Sequence, residues 1–247
     1  EGLAKGLAVL EAFDTERQRL NATLAAQRTG ITRAAARRHL LTLADLGYLE
    51  TDGSHYWLSP RVLRLAGSYM ATSRLPRTLQ PTLNRLAQQT QAAFSAVVLD
   101  GQECVIVARS AGAAEPVRHL AYGLHLGARL PVHATSTGRV LLASWPKAEL
   151  VAWLKGRELP RITPFTEVGM ARFKALIDQV RQDDFCLARE GHELGIHALA
   201  VPLRNMQGQT LAALNVVGTG EQLSDAAVQH KWLPLLLEAA RELRPLL

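Results

Sequence analysis

Between Asn21 and Leu58 the chain places helix starts, glycine stops and a hairpin turn at a spacing few folds accommodate. Asn21 reads as the N-cap of a short helix over 22–28, stopped by Thr29-Gly30. Thr32 caps a longer helix over 33–46, and Gly47 stands where a left-handed C-terminal residue is expected. Upstream, Leu3, Leu7 and Leu10 with Ala4 and Ala8 recur at helical spacing as far as Asp14-Thr15. Downstream, Asp52-Gly53 sits between two β-prone flanks over 49–58, a strong hairpin signal. Helix, short helix, glycine turn, longer helix and hairpin is the order of a winged helix-turn-helix. The predicted first domain spans 1–59.

The third helix sorts its residues by face. At 100° per residue Ala36, Leu40 and Leu43 fall on one stripe that must be buried. Arg38 lies nearly opposite, Ala34 is beside it and Arg37 is on the flank. From Arg28 to Leu43 there are four arginines and no acid. A run of charge alone is usually a solvated face. Here it coincides with the turn and the wing, and points to double-stranded DNA as partner. Ala34 and Ala35 permit close approach to a groove, while arginines reach guanine edges or phosphates. The candidate DNA-binding residues are Thr32, Arg33, Ala34, Ala35, Arg37, Arg38 and His55 in the wing. Arg33 and His55 are assigned to the phosphate backbone, and Arg17 and Arg19 to solvent. A net charge of +6 is compatible with a polyanion.

A linker helix is expected over 60–75, where Val62, Leu63, Leu65, Ala66, Tyr69 and Met70 keep a helical pattern up to Pro76. The remainder, 76–247, alternates β runs with amphipathic helices. Helices are predicted over 78–90, 135–145, 146–155, 167–183 and 225–243. Strands are predicted over 94–99, 103–108, 185–189, 196–203 and 210–217. A mixed sheet flanked by helices follows, so the fold class is α+β. Hydrophobic residues at 48% and charged residues at 20% allow a real core and argue against disorder. No apolar run is long enough to span a bilayer, and Glu1-Gly2-Leu3-Ala4-Lys5 lacks the start of a secretory signal, so a cytoplasmic location is expected. Cys104 and Cys186 are far apart with no CxxC, which gives neither a disulfide framework nor a zinc site. No metal and no cofactor is expected.

The segments Gly6-Leu7-Ala8-Val9-Leu10, Arg33-Ala34-Ala35-Ala36-Arg37-Arg38-His39-Leu40-Leu41-Thr42-Leu43 and Leu46-Gly47-Tyr48-Leu49 resemble the DNA-binding domain of IclR-type transcriptional regulators. The more specific match is Gly127-Ala128-Arg129-Leu130-Pro131-Val132-His133-Ala134-Thr135-Ser136-Thr137-Gly138-Arg139-Val140-Leu141-Leu142-Ala143, which looks like the family's effector-domain signature. The likeness covers nearly the whole chain. It is greatest to the PcaR, PcaU and PobR branch, which controls protocatechuate and 4-hydroxybenzoate catabolism. The resemblance implies a GAF-like effector domain, a homodimer or homotetramer, palindromic or repeated promoter sites, and contact with RNA polymerase in activators. Two positions depart from the pattern: His39 stands where the family is usually apolar, and Leu41 where a basic or polar residue is common.

Thr135-Ser136-Thr137-Gly138 opens a predicted helix, whose free N–H groups and hydroxyls suit a carboxylate as well as they suit an ordinary cap. The resemblance places this segment, with Ser136 and Thr137, in the effector pocket. It adds Ala188, Ala198, Asn215 and Val217. The last two share strand parity. Small residues at 188 and 198 leave room for a ring, and Asn215 can bind a ring hydroxyl. A cation for the acid is sought at Arg109 first, then Arg189 or His133, while Tyr122 and His125 lie in a loop able to close over the site. The expected effector is protocatechuate or 4-hydroxybenzoate. A small aliphatic acid (glyoxylate, pyruvate or β-ketoadipate) is the alternative. A hydrolase built on His133 and Ser136 is disfavoured, since the chain has no GxSxG elbow, no P-loop and no HExxH. An enzyme is not expected.

Overall fold

Side-chain caps set the helices of the N-terminal unit. The Asn21 Oδ1 accepts from the Thr23 and Leu24 N–H groups at 3.0 Å and starts α2 (Ala22–Thr29). Gly30, at a φ of 68°, ends it. The Thr32 Oγ1 accepts from Ala35 N at 3.3 Å and starts α3 (Arg33–Asp45). With α1 (Gly2–Glu11), these helices bury Val9, Phe13, Leu20, Ala25, Ala36 and Leu40 together with Leu49 and Tyr56 of the wing. The wing is β1 (Leu49–Thr51) against β2 (Tyr56–Leu58), antiparallel, with Thr51 opposite Tyr56. Its turn is tied by Asp52, whose Oδ1 accepts from the Ser54 and His55 N–H groups, and these bonds hold the carboxyl down to about 2. Arg19, expected to be merely solvated, braces the wing instead: it lies 3.5 Å from Asp52 and 4.3 Å over the Trp57 ring. A 3-10 turn (Pro60–Val62) leads into α4 (Leu63–Thr72).

This computed structural model describes residues 1–14, 17–110 and 125–247, which divide into two units, Glu1–Ser73 and Arg74–Leu247.

The second unit opens with α5 (Arg74–Thr90), four residues before the predicted start at Thr78. Pro76 is tolerated because it stands in the first turn, where a backbone N–H has no helical partner to lose. Six strands follow: β3 (Ala93–Asp100), β4 (Glu103–Arg109), β5 (Arg129–Pro131), β6 (Cys186–Arg189), β7 (Ile196–Arg204) and β8 (Thr210–Thr219). Their order is β5-β4-β3-β8-β7-β6, and every neighbouring pair is antiparallel. β5 has no counterpart among the predicted strands.

Each face of the sheet has its own apolar layer. On one, Phe94, Ala96, Leu214 and Val216 pack against Leu79, Leu83 and Leu86 of α5 and against Leu236 and Ala239 of the closing helix. On the other, Val97, Ile106, Ala200 and Ala213 pack under α6 (Ser136–Ala143), α7 (Lys147–Leu154) and α8 (Met170–Asp183). The closing helix is not continuous. A short α9 (Asp225–Ala227) widens into a π turn (Val228–Trp232) before α10 (Leu233–Leu243). Pro234 explains the widening, since it has no N–H for the carbonyl one turn back. No helix among the described residues is long and apolar enough to cross a membrane.

Candidate functional site

The exposed face of α3 is basic and unneutralised. Arg33, Ala34, Arg37 and Arg38 are exposed, and Ala35 is half-buried. Among the described residues no carboxylate pairs with these three arginines, whereas Arg28 pairs with Asp14 and Arg19 with Asp52. Arg33, Arg37 and Arg38 therefore keep their donors for an external anion. Thr32 spends its hydroxyl on the helix cap. His55 is half-buried in the wing, its Nδ1 2.9 Å from the Ser54 Oγ. His39 turns towards α1, where a Cβ on Gly6 would stand 3.6 Å from its Nδ1. Its Nε2 is buried without a partner among the described residues, so no hydrogen bond is made there.

In the second unit one face of the sheet floors a cavity of about 550 Å³, its mouth included. Ser95 and Val97 of β3, Ile106 of β4, Leu130 of β5, Ala188 of β6, Ile196 and Ala198 of β7, and Asn215 and Val217 of β8 make the floor. Ala134–Thr137 at the start of α6 and Gly191–Glu193 in the β6–β7 loop complete the walls. The register puts Ala188, Ala198 and Val217 in one row, and Asn215, Ser95 and Arg109 in the next.

Two glycines bring the walls together. A Cβ on Gly138 would lie 2.2 Å from the Val132 carbonyl oxygen, and one on Gly191 would lie 2.7 Å from that of Ala134. The loop is held from behind, where the Thr163 hydroxyl donates to Glu190 O at 2.6 Å and the Thr166 hydroxyl donates to Gly191 O at 2.7 Å.

The cavity is mostly apolar, and three buried polar atoms of its lining residues have no hydrogen-bond partner among the described residues. Thr135 caps α6, its Oγ1 accepting from Gly138 N at 3.2 Å. The N–H groups of Ser136 and Thr137 belong to the first turn, where no helical carbonyl is available. Ser136 is 1% exposed and Asn215 7% exposed. The Ser136 Oγ, the Asn215 Oδ1 and the His192 Nδ1 are all buried with no hydrogen-bond partner among the described residues. Burial without a partner costs about 1–3 kcal/mol per group. A ligand carrying matching polar atoms relieves that cost.

Of the sequence candidates, Ser136, Thr137, Ala188, Ala198, Asn215 and Val217 line this cavity. His133 does not. It is buried with its Nε2 2.9 Å from Pro160 O, and burial lowers its pKa against the opposing pull of that carbonyl. Arg189 does not either, because strand alternation turns it away from Ala188 and its exposed side chain pairs with Asp225. Arg109 is half-buried opposite Ser95, on the cavity face of the sheet, and burial lowers its pKa. Its side chain is not among the described walls, and no described carboxylate pairs with it. Tyr122 lies outside the described residues. His125 is exposed, with its Nδ1 2.9 Å from Leu126 O.

The Ser136 Oγ has no partner, so it makes no hydrogen bond to His133 that could activate it as a nucleophile. Sequence reasoning missed Ser95, Gly191, His192, Glu193 and Ile196 as lining residues. The signal for the loop was there: two polar side chains bracketed by Gly191 and Gly195.

A winged helix-turn-helix with an open basic helix, followed by a second unit that holds a mostly apolar cavity with unpartnered polar atoms, defines the class of ligand-responsive DNA-binding proteins. Residues 2–53 match the IclR helix-turn-helix domain and residues 67–244 match the bacterial transcriptional regulator IclR C-terminal domain. The chain belongs to the IclR family of bacterial transcriptional regulators. Two proteins of Acinetobacter baylyi are similar over almost its full length. The p-hydroxybenzoate hydroxylase transcriptional activator is 50% identical, over 99% of this chain and 91% of that protein. The Pca operon regulatory protein is 48% identical, over 100% of this chain and 88% of that protein. Among solved structures, the inducer-binding domain of an Acinetobacter PobR double mutant, in complex with 3-hydroxybenzoic acid, superposes with a TM-score of 0.64. It is 44% identical and covers 70% of this chain and 98% of that one.

Proposed function

We propose that this chain controls genes for aromatic-acid breakdown and is switched by a small hydroxylated aromatic carboxylic acid, protocatechuate or 4-hydroxybenzoate. The observation that carries this reading is the unsatisfied polar set, Ser136 Oγ and Asn215 Oδ1, on a mostly apolar cavity. Such a cavity takes a flat ring by burial and orients it through a few polar contacts. The ligand carboxylate takes the N-terminus of α6, with the Ser136 hydroxyl and the free N–H groups of Ser136 and Thr137. Asn215 takes a ring hydroxyl, and Ala188 and Ala198 leave space for the ring. Arg109, at the end of β4 and half-buried on the cavity face of the sheet, is the candidate for the positive charge. The aromatic-acid names of the relatives support the same ligand class.

On DNA, α3 enters the major groove with Arg37 and Arg38 towards base edges or phosphates, Ala34 and Ala35 close to the groove, and Thr32, Arg33 and the wing residue His55 at the backbone. Two copies are required to present two recognition helices to paired half-sites. Leu3 on α1 and Leu63, Leu65 and Tyr69 on α4 supply exposed apolar surface that a second copy would cover. Contact with RNA polymerase at the promoter and a cytoplasmic location belong to the same proposal.

The test is thermal denaturation of the purified protein against protocatechuate, 4-hydroxybenzoate, β-ketoadipate, glyoxylate and pyruvate. A true effector at 100 times its Kd adds about 2.7 kcal/mol of stability. A response to an aromatic acid alone is expected. A response confined to an aliphatic acid would overturn the ligand class.

A further inference from the structure

The cavity holds one more unmatched polar atom than a carboxylate and a single hydroxyl consume. Ser136 Oγ, beside the free N–H groups of α6, is a donor suited to a carboxylate. Asn215 Oδ1 is an acceptor with no proton to donate, so it requires an O–H or N–H from the ligand. The third atom is the His192 Nδ1, in the opposite wall from the sheet floor.

We infer that His192 reads a second hydroxyl on the effector's ring, which makes the site selective for a dihydroxylated aromatic acid over its monohydroxylated relatives. This rests on the aromatic-acid reading above and specifies which member of the class fits. The loop backbone on either side of His192 is tied down. Glu190 adopts a left-handed φ of 51°, and its carboxylate accepts from Gly195 N at 2.7 Å across the loop. The hydroxyls of Thr163 and Thr166 fix the carbonyls of Glu190 and Gly191. Backbone fixed in this way leaves less freedom to be lost when the side chain bonds a ligand. Burial, with the neighbouring His133 adding to it, lowers the pKa of His192 and keeps the ring neutral at pH 7. A neutral imidazole can accept from a phenol through an unprotonated Nδ1.

The experiment is calorimetric titration of the full chain, and of His192→Phe, His192→Gln and Asn215→Leu, with benzoate, 3-hydroxybenzoate, 4-hydroxybenzoate and 3,4-dihydroxybenzoate. The wild-type protein is expected to bind the dihydroxy acid about tenfold more tightly than the better monohydroxy acid. His192→Phe keeps an aromatic ring, somewhat larger, and removes the acceptor, so it should abolish that gap while leaving benzoate binding in place. His192→Gln retains an acceptor and should recover part of the gap. Asn215→Leu should cost affinity for hydroxylated acids and leave the His192 contribution measurable. Equal loss of all four ligands in His192→Phe would make the residue a wall only and overturn the inference, as would an unchanged gap. Failure of the wild-type protein to bind any of the four would refute the aromatic-acid reading itself, a different result. A far-UV circular dichroism spectrum and a cooperative thermal transition like those of the wild type show that His192→Phe is folded.

Discussion

Replacing Ser136 by alanine should strengthen the empty protein and weaken its response to ligand. The hydroxyl is almost wholly buried, at 1% exposure, and its oxygen has no partner among the described residues. An unmatched buried hydroxyl costs about 1–3 kcal/mol, so deleting it should return about 1 kcal/mol to the ligand-free fold. That corresponds to a Tm rise of about 2–4 °C for a chain of this size. In the complex the same hydroxyl donates to a carboxylate, a bond worth about 1.5–3 kcal/mol, so the Kd should rise at least about tenfold. At a ligand concentration 100 times the wild-type Kd, the wild type gains about 2.7 kcal/mol and a tenfold weaker variant about 1.4 kcal/mol. The two proteins then differ clearly without ligand and nearly converge with it. Differential scanning calorimetry with and without 3,4-dihydroxybenzoate measures all four states. A variant that is less stable when empty and responds to ligand as before would refute the argument, because Ser136 would then be a structural group.

Three further perturbations follow from named contacts. Gly138→Ala gains about 1 kcal/mol of helix propensity, but its Cβ would stand 2.2 Å from the Val132 carbonyl oxygen. Backbone must move, so a net loss of about 2 kcal/mol or more is expected; a Tm within about 1 °C of wild type would refute the close approach. Arg37→Ala and Arg38→Ala should each weaken operator binding and reduce the slope of log K against log salt by about 1 if they hold phosphates; an unchanged slope with relaxed sequence preference would assign them to bases instead. Acidification should destabilise the second unit through His133 and His192, whose pKa values are lowered mainly by burial. Above about pH 6.5 both are neutral whether folded or unfolded, and below it the unfolded chain binds protons that the buried rings refuse. Thermal scans at pH 7.5 and pH 5.5 on wild type and the double variant His133→Asn, His192→Phe test this, and equal losses in both proteins would count against it.

Local chemistry made the first unit legible. Asn21, Gly30 and Thr32 act through bonds or dihedrals that reach no further than three residues, so the helix starts and stops could be read in order. Asp52-Gly53 did the same for the wing. Legibility fell where distant parts of the chain decide the outcome. β5 is three residues long, too short for any periodicity, and exists because Glu103–Val105 offers it a partner. Arg189 and Ala188 are adjacent, yet strand alternation and an ion pair with Asp225, from a helix far along the chain, remove the arginine from the cavity. Arg19 looked solvated because Trp57 and Asp52, its partners, are far off in sequence. The Ser136 and Asn215 positions were reached through family resemblance. Their unsatisfied oxygens are a three-dimensional fact that no sequence pattern could carry.

Those unsatisfied atoms also explain why this cavity suits sensing. A ligand can shift an equilibrium only by the difference in its affinity for the two states. A cavity whose polar groups were satisfied internally would bind a ligand by exchanging one set of bonds for another, with little net bias. Here Ser136 and Asn215 are shut away from solvent without partners, so the empty form carries the penalty, and the proposed ligand would remove it. The walls that meet the ligand are also joined by tight backbone contacts, Gly138 on Val132 and Gly191 on Ala134, which make α6 and the β6–β7 loop answer together. Under the proposed function, an acid that meets these groups would favour the filled form by that difference, which is the bias a switch requires.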